Sequence, residues 1–147
     1  MIRPGQTIGI VGGGQLGRMT AMAARAMGYR VAVLESKNPC SAAAVADRVF
    51  AAPSGDTDAI AGLADAASVL TFEFENIEAA PFADLGPETP VRPAPTILAT
   101  CQNRAAEKGW LSENGFPVVR HAVAPSAGEL PAAVEAAGLA FPLVVKT

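Results

Sequence analysis

The residues with the plainest chemistry stand near the start of the chain. The run GGGQLG at 12–17 satisfies G-x-G-x-x-G, directly after the β-branched run TIGIV at 7–11 and directly before apolar spacing of helical period. In that setting glycines permit a tight turn and close ligand approach, and the free N–H groups of the first helical turn favour an anion. Glu35 ends the next apolar run, 18 residues after Gly17, where a dinucleotide fold carries the acid that binds a ribose hydroxyl. On spacing alone, a nicotinamide or flavin oxidoreductase and a glycine turn that only packs helix on sheet both satisfy the pattern.

A second acidic group does not suit a dehydrogenase. In TFEFEN at 71–76, Thr71, Glu73 and Glu75 alternate with Phe72 and Phe74, so a continuing strand sends the carboxylates to one face and the rings to the other. Ligands of parallel sheets bind at the carboxyl ends of strands, where Glu73 can accept a hydrogen bond from a substrate amine or hydroxyl; a hydrated strand end is the competing reading. Arg104 and Lys108 lie four residues apart on a predicted helix, a like-charge pair that repels unless an anion is shared. Lys146 ends the apolar run LVVK, where a lysine can meet a phosphate as a point charge. Taken singly, each cation is equally a solvated surface charge, and Glu107 is placed to screen Lys108. His121 has no Ser, Cys or acid at motif spacing and reads as a sheet-surface residue. With one histidine and two distant cysteines, Cys40 and Cys101, no zinc site is expected. Trp110 is expected to pack into the core.

These groups need a scaffold, and the apolar pattern supplies one. Strand at 7–11, glycine turn, helix, and strand at 30–35 make a βαβ unit; the helix stripe is Leu16, Met19, Ala23, Ala24 and Met27, closed by Gly28. A strand at 48–52, a helix at 56–67 and a strand at 68–74 continue the alternation. The four prolines of 86–95 exclude a regular element there beyond a very short strand at Val91. We divide the chain after residue 94. A helix at 102–114, a strand at 118–123, a helix to about 137 opened by a Ser126–Glu129 capping box, and a strand at 142–147 follow. That last group is too small to bury a sheet by itself. The fold class is α/β with a parallel, Rossmann-like first domain.

Composition narrows the function classes. Of 147 residues half are hydrophobic and 17% charged, which supports a buried core and excludes a disordered chain. A net charge of -3 disfavours nucleic acid and anionic lipid as partners. Residues 1–34 carry Arg3, Arg18, Arg25 and Arg30 with no acid, whereas 49–91 carry eight acids and no base, an asymmetry consistent with an anion site near the start or with plain surface solvation. No apolar run approaches the ~20 residues of a membrane-spanning helix. The first strand begins within ten residues of Met1, and the cysteines belong to no C-x-x-C pair, so an unprocessed, reduced, cytoplasmic protein is expected.

Taken in order, GGGQLGRM at 12–19, TFEFENI at 71–77, QNRAAEK at 102–108 and the closing PLVVKT resemble the 5-(carboxyamino)imidazole ribonucleotide synthetases, ATP-grasp ligases of purine biosynthesis. The resemblance implies a pre-ATP-grasp domain over 1–94 and the beginning of an ATP-grasp module over 95–147. It implies ATP-dependent carboxylation of 5-aminoimidazole ribonucleotide with bicarbonate through carboxyphosphate, in a homodimer. Gly14, Gln15, Leu16, Gly17, Glu73 and Asn76 fall on its nucleotide-substrate side, and Arg104, Lys108 and Lys146 on its ATP side. Asn103 departs from the aspartate expected in its run. The chain stops before the family's ATP-covering glycine loop and its magnesium-binding carboxylates, so no catalytic residue is assigned and these residues alone are expected not to turn over. Two rivals stand beside this reading: an NAD-binding domain that depends on Glu35, and a noncatalytic assembly module with a sizeable apolar patch.

Overall fold

A computed structural model describes residues 1–146. They divide into two compact units, Met1–Gln102 and the stretch from Asn103 onward. The first unit holds β1 (Thr7–Val11), α1 (Gln15–Ala26), β2 (Arg30–Leu34), a 3-10 turn (Ser41–Ala44), β3 (Arg48–Phe50), α2 (Thr57–Ala66), β4 (Val69–Phe72), α3 (Ala80–Ala83) and α4 (Pro95–Gln102). All four strands are parallel, in the order β3-β2-β1-β4. The chain thus builds outward from β1 on one side, then returns to place β4 on the other. The strand order reverses at the β1/β4 boundary, where open parallel sheets leave a crevice for ligands.

Both faces of this sheet are covered, which is why its strands read as unbroken apolar runs. On one face Val11, Ala32, Leu34 and Leu70 pack with Ile60 and Leu63 of α2 and with Phe82, Val91 and Leu98. On the other, Ile10, Val31 and Val33 pack with Ala21 and Ala24 of α1 and with Ala42. Asp56 caps α2, its carboxylate accepting the Ala59 N–H at 2.8 Å.

The structure corrects the expected face of α1. Gly17, Ala21 and Ala24 are buried, whereas Leu16 and Met19 are each 57% exposed and Met27 60%. Size, not hydrophobicity, selects the buried side: a Cβ on Gly17 would lie 2.2 Å from the Gly12 carbonyl oxygen, so the first turn sits too close to the loop for any side chain. Gly28, at φ +85°, ends the helix as expected.

The prolines conceal α4, a helix absent from the sequence reading. It starts at Pro95, the first-turn position where proline costs no hydrogen bond, and its Leu98 joins the core, so the compact unit extends past residue 94 to Gln102. Val91 does form a short parallel bridge, to Leu70. The helix expected over 102–114 is interrupted at Asn103, which is extended and caps α5 (Arg104–Glu113), its Oδ1 accepting the Ala105 and Ala106 N–H groups at 3.0 Å each.

The second unit contains α5 and α6 (Leu130–Ala136). Neither expected strand forms: 118–123 and 142–146 are irregular, and Thr147 lies outside the described residues. A strand needs a ladder partner, and Val119 and Val144 are 73% and 85% exposed instead of lying against a core. Ser126 does reach Glu129, at 2.6 Å, but α6 starts at Leu130 without a side-chain cap. The Arg120 guanidinium closes the other end of α6 by donating to the Ala137 and Gly138 carbonyls. Trp110 is half exposed and stacks on Phe116 at 6.2 Å, not in a core.

Candidate functional site

The glycine loop leaves β1 at Gly12, whose φ of +107° suits a residue without a side chain. Gly14 is the N-cap of α1 and has no side chain to satisfy the helix's first amides. The anion that meets this end is supplied by the protein itself. β4 stops at Phe72, its register continues for one residue through Glu73 N–H to the Val11 carbonyl at 2.9 Å, and the Glu73 carboxylate turns onto the loop to accept the Gly14 N–H at 3.0 Å. All three motif glycines make room for that group. A Cβ at Gly12 or Gly14 would meet Glu73 at 2.8 Å or 2.6 Å, and one at Gly17 would meet its Oε2 at 2.5 Å. The motif G-x-G-x-x-G is here the cradle of a carboxylate.

The same geometry corrects the reading of the β4 tip. The strand does not persist, so Phe72 and Phe74 do not share a face as a pair. Phe72 packs on Phe82 with ring centroids 6.1 Å apart, while the ring of Phe74 lies against Gly12. Glu75 and Asn76 are exposed in the segment that follows. The Gln102 side-chain amide donates to the Glu75 and Ile77 carbonyls, at 2.6 and 2.5 Å, and ties this segment to the end of α4. Gln102 was visible in the sequence as part of QNRAAEK, but nothing in its spacing disclosed a contact with two carbonyls so far upstream.

Glu35 is engaged with the loop and with its own strand end. Its Oε2 accepts the Gly13 N–H at 2.9 Å, and its Oε1 accepts from the Ser36 hydroxyl and the Lys37 N–H at 3.0 and 3.3 Å. Partial burial pushes its carboxyl up, but the Gly13 and Lys37 amides and the Ser36 contacts together pull it below the ordinary glutamate value. The Gly13 carbonyl accepts the Ala42 N–H at 3.0 Å, and a Cβ on Gly13 would also strike Cys40 Sγ. The β1/β2 side of the loop is therefore filled by protein. On the β1/β4 side, Glu73 and Phe74 reach the surface, and Gln15 and Leu16 are exposed on the first turn of α1.

In the second unit, Arg104, Lys108 and Lys146 line one cleft of about 510 Å³, together with Arg120 and His121. Arg104 is paired with Glu107 at 2.6 Å, so Glu107 screens the arginine instead of the lysine. His121 is exposed and places Nδ1 3.2 Å from the Val119 carbonyl. Arg120 donates to the carbonyls at the end of α6 without losing its charge, so the cleft carries four cations, Arg104, Lys108, Arg120 and Lys146, of which Arg104 is paired with Glu107. Such a set suits a polyphosphate. Among the described residues no three His, Cys, Asp or Glu side chains cluster together.

Residues 5–102 match the ribonucleotide synthetase pre-ATP-grasp domain family. The chain belongs to that family. It is 46% identical over 115 residues to the N5-carboxyaminoimidazole ribonucleotide synthase of Brucella melitensis, covering 78% of this chain and 32% of the relative. To the Bacillus subtilis synthase it is 37% identical over its whole length, covering 38% of that protein. The Staphylococcus aureus N5-carboxyaminoimidazole synthetase complexed with ADP superposes with a TM-score of 0.82 at 35% identity, over 91% of this chain and 36% of the other. The Aspergillus clavatus synthase in complex with ADP and 5-aminoimidazole ribonucleotide does so with a TM-score of 0.77 at 27% identity, over 90% and 36%. The chain thus spans about a third of the length of the relatives it matches. No helix among the described residues is long and apolar enough to cross a membrane.

Proposed function

We propose that this chain is the N-terminal part of an ATP-dependent ligase that carboxylates 5-aminoimidazole ribonucleotide with bicarbonate, giving 5-(carboxyamino)imidazole ribonucleotide in purine biosynthesis. The observation that carries this reading is the Glu73 carboxylate seated in the glycine cradle at the β1/β4 crevice. A loop already holding one carboxylate repels a pyrophosphate, which argues against a dinucleotide. Glu73, fixed by Gly14, has acceptor capacity left for a ribose hydroxyl or the aminoimidazole amine. In this reading the amides of Gln15, Leu16 and Gly17 line the same side, and Asn76 stands at its edge. The part from about residue 95 opens the ATP-grasp module, where Arg104, Lys108 and Lys146 neutralise the phosphates of ATP. Phosphoryl transfer is mostly positioning and charge neutralisation, so these cations are binding groups and the reacting centre is completed by residues and magnesium outside the described part. The whole enzyme acts as a homodimer in the cytoplasm.

Calorimetric titration of the chain with 5-aminoimidazole ribonucleotide, ATP and NAD tests the proposal. The ribonucleotide is expected to bind, and Glu73→Ala is expected to weaken it at least about tenfold, the worth of a charge-assisted hydrogen bond. Tight NAD binding abolished by Glu35→Ala would overturn the proposal in favour of an oxidoreductase.

A further inference from the structure

We infer that Glu35 is a positioning residue for the substrate site: by holding the Gly13 amide it steadies the turn at Gly13, whose following peptide presents the Gly14 N–H to Glu73. The inference rests on the reading of Glu73 as a substrate-binding group, although its first test does not.

The loop from Gly12 to Gly14 has no side chains with which to fix itself, and glycine backbones are the most permissive of all. Each peptide must therefore be held from outside. Gly12 N–H is bonded to the Leu34 carbonyl at 2.9 Å, Gly13 N–H to Glu35 at 2.9 Å, the Gly13 carbonyl to Ala42 N–H at 3.0 Å, and Gly14 N–H to Glu73 at 3.0 Å. Of these anchors only two are side chains. Glu35 stands one residue past the end of β2 and Glu73 one past the end of β4, so the two strands flanking β1 each contribute a carboxylate to consecutive amides of the loop. The Gly13–Gly14 peptide joins the two anchored amides. If Glu35 releases Gly13, the Gly12–Gly13 peptide loses its side-chain anchor, and the next peptide, which presents the Gly14 N–H, is held upstream only through Ala42 on its Gly13 carbonyl, so that N–H is aimed at Glu73 less firmly. The Ser36 and Lys37 contacts on Glu35 Oε1 hold the clamp from behind.

Amide hydrogen exchange on the intact chain, followed by NMR, tests this. Glu35→Ala is expected to speed exchange at both Gly13 and Gly14 about tenfold, the loss of one charge-assisted bond, while Val33 and Leu63 keep their protection. Glu35→Gln, which retains an acceptor oxygen, is expected to restore both amides. Glu73→Ala is expected to release Gly14 and leave Gly13 protected. Unchanged exchange at Gly14 in Glu35→Ala would overturn the inference, as would loss of protection across the whole sheet in both Glu35 variants. A second arm measures affinity for 5-aminoimidazole ribonucleotide: Glu35→Ala is expected to bind several-fold more weakly and Glu35→Gln close to the parent. Ribonucleotide binding that is insensitive to Glu73→Ala defeats the substrate role of Glu73, and the exchange results then decide the clamp by themselves.

Discussion

The two units differ in how their chemistry is supported. In Met1–Gln102 the acidic residues of the site stand at the tips of strands whose flanks are fully buried: Val11, Leu34 and Leu70 have no exposed surface. From Asn103 onward four cations, Arg104, Lys108, Arg120 and Lys146, share a cleft, yet no described residue of that unit is buried. One region holds its functional groups by a core and by consecutive backbone hydrogen bonds; the other holds them on capped helices and irregular chain. The comparison teaches that a short segment can bring charges together through local pairs such as Arg104–Glu107, whereas bringing Glu35 and Glu73 onto consecutive amides of a distant loop takes a sheet.

The largest expected contrast comes from truncating apolar side chains. Leu63→Ala in the first core should cost about 3 kcal/mol of unfolding free energy, whereas Val144→Ala in the second unit should stay within about 0.5 kcal/mol. Chemical denaturation of both variants checks this, and equal costs would erase the distinction. Next in size is Gly17→Ala, expected to cost about 2 kcal/mol because its Cβ meets the Gly12 carbonyl and the Glu73 carboxylate, neither of which can move without opening the cradle. The same measurement on Gly109→Ala, where a Cβ meets nothing within 4 Å, should show no loss and a small gain in helicity.

Caps sharpen the comparison further. Asp56→Ala should lower global stability by about 1 kcal/mol, since α2 is part of the core. Asn103→Ala removes a cap of similar strength from α5, but its effect should appear as lost helical signal at Arg104–Glu113 with the denaturation midpoint of the first unit unchanged. The smallest effect is that of pH. The Arg25 hydrogen bond at 2.7 Å and then the Val31 amide hold the Asp47 carboxyl below its ordinary value. A depressed folded-state pKa contributes stability above the unfolded value and loses it as pH falls through the folded one, so Asp47→Asn should flatten the stability profile below about pH 4. The pair is exposed, which keeps the change modest.

Much of the first unit is legible in the sequence because its strands obey one rule at a time. The runs at 7–11, 30–34 and 69–72 are apolar on both faces, and the loop is glycine where the backbone demands it. What escapes the sequence is whatever depends on a third element. The apolar stripe of α1 is real as a pattern, but the distance between helix and loop reserves the inner side for Gly17, Ala21 and Ala24. Prolines hide α4 because proline at a first turn looks the same as proline in a loop. The β-branched run at 118–123 predicts a strand, yet composition cannot supply a ladder partner. At the site, Glu73 was visible as an acid at a strand end, and so was Glu35. That the first accepts the Gly14 N–H and the second the Gly13 N–H of the same loop is tertiary information.

The central claim is that the glycine loop is shaped around Glu73 and not around a diphosphate, and the Gly14 amide resonance reports on it directly. It should shift on Glu73→Ala and on addition of 5-aminoimidazole ribonucleotide, and stay in place when NAD or pyrophosphate is added to the parent chain. A Gly14 resonance that ignores Glu73→Ala and moves with NAD would contradict it.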